Sequence, residues 1–303
     1  MKSVLSISGG GIRGLIPCLH LVELEKQLGK LTREVVSFCG GTSTGALLTA
    51  CIAAGVPASE ALKVYTEQGS KVFSPTNTLE RDALMVSRGY KFDNKILFKT
   101  VFNTLGKKAA MNINSSPIPI LITACDMNGR PYYFTRDEPT NARCSGLATL
   151  VDAAVASACA NTYHQCWNVP GWGYFFDGGV AGMADPVEVV CVEAFSGVGC
   201  YGSIDPEDVV VISLGTGVFN ADKPIPPPNG LLEQITFATS SLVGSGRTLA
   251  AQSTDRHWPG VRKAFNVLLP KEIDEADVNS IPLLVELGTQ AAACVDWKTV
   301  LGL

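Results

Sequence analysis

A three-layer α/β/α fold with a mostly parallel central sheet is predicted by three observations. Short apolar runs rich in β-branched residues alternate along the chain with helical patterns, the order that puts a sheet inside and helices outside. Two of the strand-to-helix passages run through glycine clusters, at Gly9–Gly14 and Gly40–Gly45. Of 303 residues, 46% are apolar and only 17% charged, enough to bury a sheet on both faces.

The elements follow in order. Val4–Ser8 alternates as a strand should, and Leu15, Ile16, Leu19, Val22 and Leu24 carry a helical stripe through Ile12–Leu28. Val35–Cys39 is the second strand, and the small residues of Thr44–Ala54 make a closely packed helix. Helices over Ala58–Val72 and Asp93–Leu105 precede strands Ile118–Cys125 and Tyr132–Thr135. Asn128–Gly129 between those strands is a hairpin turn, giving one antiparallel pair. A helix over Leu147–Cys159, a strand at Tyr174–Asp177, a helix over Pro186–Phe195 and a strand at Val209–Leu214 complete the alternation. Helices Leu231–Ala251 and Asn279–Ala293 follow the stiff, proline-rich Lys223–Gly230. No internal repeat is present. The reading is one domain: residues 1–217 form the core, and 218–303 a helical C-terminal portion of it.

The chemistry starts at Ser43. In Gly41–Thr42–Ser43–Thr44–Gly45 it stands between an apolar strand and a helix, the setting in which G-x-S-x-G presents a nucleophilic serine. Gly41 and Gly45 are required because side chains there would strike the neighbouring strand and helix. The helix start points its unpaired N–H groups at a developing negative charge. The bland alternative is a serine capping a buried helix.

Gly9–Gly10–Gly11–Ile12–Arg13–Gly14 also follows a strand, and it matches the G-x-G-x-x-G dinucleotide fingerprint. That fingerprint needs an acidic residue roughly 20 positions on, at the end of a second strand. The Gly40–Ser43 turn occupies that place, so a nucleotide site is disfavoured. A second match at 197–202 follows a helical stretch and carries no meaning. Three bare glycines serve instead as an oxyanion hole, aiming the N–H groups of Gly9, Gly10 and Gly11 at one oxygen. Arg13 invites two readings, a contact to a substrate phosphate or a salt bridge locking the loop.

Tyr174–Asp177 delivers a carboxylate at a strand end, where Gly178 and Gly179 turn the chain. Asp-Gly turns are common, so Asp177 acquires meaning only beside Ser43. Of the three histidines, His20, His164 and His257, none stands in the Ser…Asp…His order of an α/β-hydrolase. Asp177 is the remaining proton acceptor, and burial would raise its basicity.

Together these residues resemble the patatin-like phospholipases. A glycine-rich loop (Gly9–Gly14), a G-x-S-x-G elbow (Gly41–Gly45) and a D-G-G motif (Asp177–Gly179) appear in that family's order. Ala156–Ala160 with Thr162–Tyr163, and Val211–Gly217, are similar to it as well. The resemblance spans roughly Met1 to Gly217. It implies a patatin-like fold, a Ser43–Asp177 dyad hydrolysing acyl esters of phospholipids or lyso-lipids through an acyl-serine, and neither cofactor nor metal. An acyltransferase using the same acyl-serine, and a weakened regulatory relative, are the alternatives. Family members are often switched on by a partner or small ligand, and nothing here names one. One departure stands out: the family usually has Asp before the glycines, and this chain has Ser8.

A net charge of −4 argues against a nucleic-acid partner. Ten cysteines without a C-x-x-C pair read as buried thiols in a reducing compartment, so the expected location is cytoplasmic, with peripheral membrane contact. Residues 81–108 carry seven Lys/Arg against two Asp, with Lys91, Lys95 and Lys99 every four residues opposite Leu97, Val101 and Leu105. Such a helix either lies on an anionic membrane or packs on the core with a solvated lysine edge.

Overall fold

The central strand is β1 (Lys2–Ile7), whose run Val4–Leu5–Ser6–Ile7 is fully buried. Such continuous apolar strands belong in a sheet covered on both faces. In the computed structural model, which describes residues 2–75, 77–137, 145–195, 204–220 and 227–303, β1 is flanked in parallel by β2 (Phe38–Gly41) and β7 (Val209–Leu214). Outward from these lie β3 (Ile120–Asp126) beside β2 and β8 (Arg262–Phe265) beside β7, both parallel. Three further strands are antiparallel: β4 (Pro131–Phe134) and β6 (Gly173–Asp177) on β3, and β5 (Trp167–Val169) on β6. The sheet is mixed and mostly parallel, with helices on both sides.

Successive residues serve opposite layers, as the two-residue strand period requires. Leu5, Cys39, Ile120, Ile122, Val210 and Ile212 enter the larger core, with α1 (Leu15–Leu28), α2 (Thr44–Ala54), α7 (Leu150–Ala158) and α10 (Ile281–Ala293). Val4, Phe38, Leu121, Val209 and Val211 enter the smaller one, with α8 (Val187–Phe195) and Ala250 of α9 (Leu231–His257).

The departures from expectation have physical causes. The first predicted helix begins as a 3-10 turn, Gly11–Gly14, because the glycine loop must stay open before α1 starts. The Ala58–Val72 helix is broken into α3 (Ala58–Thr66) and α4 (Gly69–Val72). An unexpected helix, α5 (Thr78–Arg88), is capped by the Asn77 side chain, which accepts from Leu79 N at 2.9 Å. Leu79 and Val86 on it are exposed, so it carries no buried stripe for sequence reading to find. The predicted Asp93–Leu105 helix, α6 (Asn94–Leu105), buries Leu97, Val101 and Leu105 in the core and leaves Lys95 and Lys99 exposed. Lys91 pairs with Asp82 at 3.8 Å. The stripe Leu97–Val101–Leu105 of α6 is therefore spent on packing, while Ile96 and Phe102 stay exposed beside the lysine edge.

The C-terminal portion is not purely helical either. It adds β8 to the sheet, packs α10 on α1, and buries Trp297 of α11 (Trp297–Leu301) completely. Three antiparallel pairs replace the one expected. The glycine match at 197–202 and the first half of the proline-rich segment, 223–226, lie outside the described residues.

Candidate active site

The pairing pattern of β3 brings the site together. Ile122 pairs with both Gly41 and Phe134, so β2 and β4 lie on opposite edges of β3. Ala124 pairs with both Tyr132 and Asp177, so β6 lies on the edge that β2 occupies. Strand β2 ascends along that edge and stops at Gly41; β6 descends along it and stops at Asp177, two β3 residues further on. Ser43 follows Gly41, and the two side chains meet in the gap.

The turn at Ser43 is sharp. Its φ of 56° and ψ of −122° are unusual for a residue with a side chain, and such strain persists only where the surroundings hold it. Ser43 N–H donates to Ser157 Oγ of α7 at 2.9 Å. Thr42 Oγ1 lies 2.6 Å from both the Met183 carbonyl and Thr123 Oγ1. A Cβ on Gly41 would stand 2.2 Å from the Gly45 carbonyl oxygen, and one on Gly45 2.1 Å from that of Ile7. Both motif glycines are thus demanded by backbone contact, the collision inferred from sequence.

The Ser43 hydroxyl stands close enough to the Asp177 carboxylate to favour its charged form, and that carboxylate accepts Gly179 N–H at 2.7 Å. Asp177 is 4% exposed. Burial is the dominant influence and pushes its pKa up to about 7, while Ser43 and the Gly179 N–H oppose the rise. Gly178 and Gly179 begin the turn that leads the chain away, and Gly178 presses on Thr123.

Above the elbow lies the glycine loop. Gly9 N–H donates to the Ala184 carbonyl at 2.8 Å, so it is not free to receive an oxyanion, which corrects its expected role. The N–H groups of Gly10 and Gly11 have no partner among the described residues. Their directions are held from behind. In a trans peptide the carbonyl and the next N–H point opposite ways. The Gly9 carbonyl accepts from Arg247 Nη2 and Thr216 Oγ1, each at 2.7 Å, which sets the Gly10 N–H. The Gly10 carbonyl accepts Arg13 N–H at 3.1 Å, which sets the Gly11 N–H. Gly14 packs against Thr44, seating the loop on the start of α2.

Arg13 takes the structural one of its two readings. Its Nη2 donates to Glu275 Oε1 at 2.8 Å, and Arg247 Nη2 reaches the same oxygen at 3.5 Å. The Glu275 carbonyl accepts Ile12 N–H at 2.7 Å, so one residue anchors the loop through both backbone and side chain. The Ser8 hydroxyl lies near the buried carboxylate of Asp185 and favours its charged form, so a carboxylate from another segment stands by the loop where this chain lacks one.

Arg247, Glu275, Thr216, Ser157 and Asp185 carry no motif that marks them in isolation. Arg247 had a faint signal, the first cation of a weakly charged helix, directly after Gly244–Ser245–Gly246. The histidines stay apart. His20 is buried in the core, His257 is exposed, and His164 makes no hydrogen bond to Ser43 or Asp177. Among the described residues, no group of three or more His, Cys, Asp or Glu could hold a metal ion. The eight cysteines among them are free thiols.

An apolar pocket opens beside Ser43. Its walls are Leu47, Val64, Val72, Phe73 and Leu97, with Gly11, Tyr163 and His164 also lining it. Unpartnered glycine N–H groups, a serine beside a buried carboxylate, and an apolar slot share one place.

The chain is 28% identical to Patatin-17 of Solanum cardiophyllum, over 95% of its own length and 83% of that protein. It is 29% identical to Patatin-like protein 2 of Arabidopsis thaliana, over 99% and 79%. A cGAMP-activated phospholipase of Vibrio cholerae is 27% identical over 80% of this chain and 67% of that one. The family model for patatin-like phospholipase matches residues 5–190, and the chain belongs to that family.

Proposed function

We propose that this protein is a serine acyl hydrolase that cleaves fatty-acyl esters of phospholipids or lyso-lipids through a Ser43–Asp177 dyad. Membership of a lipid acyl hydrolase family supplies the reaction class. The placing of the Ser43 hydroxyl against the buried Asp177 carboxylate, beneath Gly10 and Gly11 N–H groups that have no partner among the described residues, is the observation that supports the finer reading.

The acyl chain enters the slot between Leu47, Val64 and Leu97, leaving its ester carbonyl at the mouth beside Ser43. Asp177 takes the hydroxyl proton as Oγ attacks the carbonyl carbon. With a pKa near 7 it is a far better base than an ordinary carboxylate, yet a large fraction is ionised at neutral pH. The oxyanion is received by Gly10 and Gly11 N–H, and the N-terminus of α2 adds its partial positive charge. The proton passes to the departing alcohol oxygen as the ester C–O bond breaks. Water, deprotonated by Asp177, then attacks the acyl-serine and releases the fatty acid. Arg247 and Thr216 do not touch the substrate in this scheme; they position the Gly10 amide.

Ser43→Ala is the test. Release of fatty acid from defined phospholipids should fall to background, and a fluorophosphonate probe should no longer label the protein. Labelling that persists in this variant would show that another residue is the nucleophile.

A further inference from the structure

The segment between α7 and β5 carries a buried imidazole that the described residues leave without a partner. It starts at the candidate base, where the Cys159 carbonyl accepts Asp177 N–H at 3.1 Å. The Ala160 carbonyl then accepts Tyr163 N–H at 3.1 Å and His164 N–H at 2.8 Å, a tight turn in which Thr162 takes a φ of 70°. Both neighbours of His164 are pinned to the chain that enters α6. The Tyr163 carbonyl accepts Lys91 and Phe92 N–H at 3.0 and 2.8 Å, and Asn94 Nδ2 donates to the Gln165 carbonyl at 2.7 Å. His164 is therefore held firmly. It is 5% exposed and forms part of the wall of the pocket beside Ser43.

The polarity of this side chain goes unused. Nδ1 is sealed from solvent with no hydrogen-bond partner, and Nε2 has none either but keeps some accessible surface. His20 is the contrast. Both its nitrogens are sealed and unpartnered, and its ring packs 6.0 Å from Phe265 and 6.1 Å from Trp297 between centroids, outside the pocket wall. His20 fills the core, whereas His164 borders empty space. Burial drives the His164 pKa down to about 4, with Asp93 opposing, so at neutral pH the ring is uncharged and offers one donor and one acceptor. Beyond Ser43, the other polar side chains of the wall are engaged: the Tyr65 hydroxyl with Thr44, the Tyr163 hydroxyl with Asp274, and Glu275 with Arg13. A buried polar group left unpaired forfeits its hydration with no return. The pocket is thus an apolar slot with one open hydrogen-bonding point, the kind of site that orients a mostly apolar ligand by a single polar group.

We propose that His164 makes this pocket select acyl chains that carry a hydroxyl group, with Nε2 as the hydrogen-bond partner of that hydroxyl. The proposal deepens the acyl-hydrolase reading and rests on it for the identity of the occupant. A hydroxyl both donates and accepts, so it matches either tautomer of the neutral ring. A keto or ether oxygen only accepts, and a plain methylene does neither.

The probes are stearic acid and its monohydroxy isomers with the hydroxyl at successive carbons. They are used as free acids for binding calorimetry and as p-nitrophenyl esters in mixed micelles for turnover. The parent should bind at least one isomer about tenfold more tightly than stearic acid, and kcat/KM for its ester should exceed that of the stearate by a similar factor. His164→Leu, which removes both nitrogens, should bind all the acids within about twofold of one another. His164→Gln, whose amide supplies a donor and an acceptor, should keep a preference for a hydroxylated chain. A parent that binds every isomer no better than stearic acid overturns the proposal, as does a preference that survives in His164→Leu. Uniform loss across the series in both variants also overturns it, since that is the mark of a histidine that only supports the wall or holds a water. Should His164→Leu fail to fold, the parent series and His164→Gln still decide. Binding of the free acids needs no turnover, so a hydroxyl preference without ester hydrolysis would defeat the hydrolase reading alone. Hydrolysis without the preference would defeat only the role of His164.

Discussion

Asp177→Asn separates two consequences of one buried carboxyl group. An ordinary aspartate has a pKa of ~3.9, and burial holds Asp177 at about 7. Below about pH 4 the group is protonated in both folded and unfolded chains and costs nothing. Between about 4 and 7 the unfolded chain releases the proton while the folded chain keeps it, so stability falls as pH rises. Above about 7 the penalty is complete, and three pKa steps at ~1.4 kcal/mol each set its ceiling near 4 kcal/mol. Asparagine cannot ionise and retains an oxygen for the Gly179 N–H, so it escapes this penalty. Thermal unfolding followed by circular dichroism should thus show little difference between parent and variant at pH 4. By pH 8 the variant should be more stable, by roughly 5–10 °C. Ester hydrolysis should be lost in the variant, while in the parent kcat/KM should rise with pH through a midpoint near 7. Equal melting temperatures at pH 8, or a parent activity already maximal at pH 5, would refute an Asp177 held protonated by burial.

Three other outcomes follow from the geometry. Arg247→Ala frees the Gly9 carbonyl from one of two donors, so kcat for a soluble ester should fall about tenfold to a hundredfold with KM little changed; losing an oxyanion donor outright typically costs ~10²–10³. Ser8→Asp, although it restores the family's usual residue, sets a second carboxylate against Asp185 and should destabilise the fold by about 2 kcal/mol at pH 8, with relief on acidification as one carboxyl gains a proton. Melting curves at both pH values would measure it. Leu47→Trp narrows the apolar slot, and a chain-length series of esters should show long acyl chains losing roughly tenfold relative to butyrate.

What could be read before the structure was local. The elbow was legible because Gly41 and Gly45 are imposed by contacts within a few residues of Ser43 or with the adjacent strand. Asp177 was legible because a carboxylate followed by two glycines ends an apolar strand. The supports were not legible, since each is fixed by distant parts of the chain. Arg247 meets Gly9 across 238 positions and Glu275 meets Arg13 across 262, and neither pairing leaves a periodic trace. The role of Gly9 was misread for a related reason: whether an N–H is free depends on Ala184, which no spacing rule connects to it. Helix α6 shows the opposite limit, because its lysine edge and apolar stripe fit a membrane surface and a core equally well. Only the neighbouring Trp167 and α7 show that the stripe is packed.

The meeting of β2 and β6 along one edge of β3 gives this scaffold a built-in ruler. Asp177 stands on a rung of the β3 ladder and Ser43 two residues past one, so their separation is set by β3 and not by the 134 positions that part them in sequence (177 − 43). Helices α3, α4 and α6, which wall the slot, hang from that interval as an interchangeable insert. Lengthening or reshaping them can recut the pocket while Ser43 and Asp177 stay in alignment.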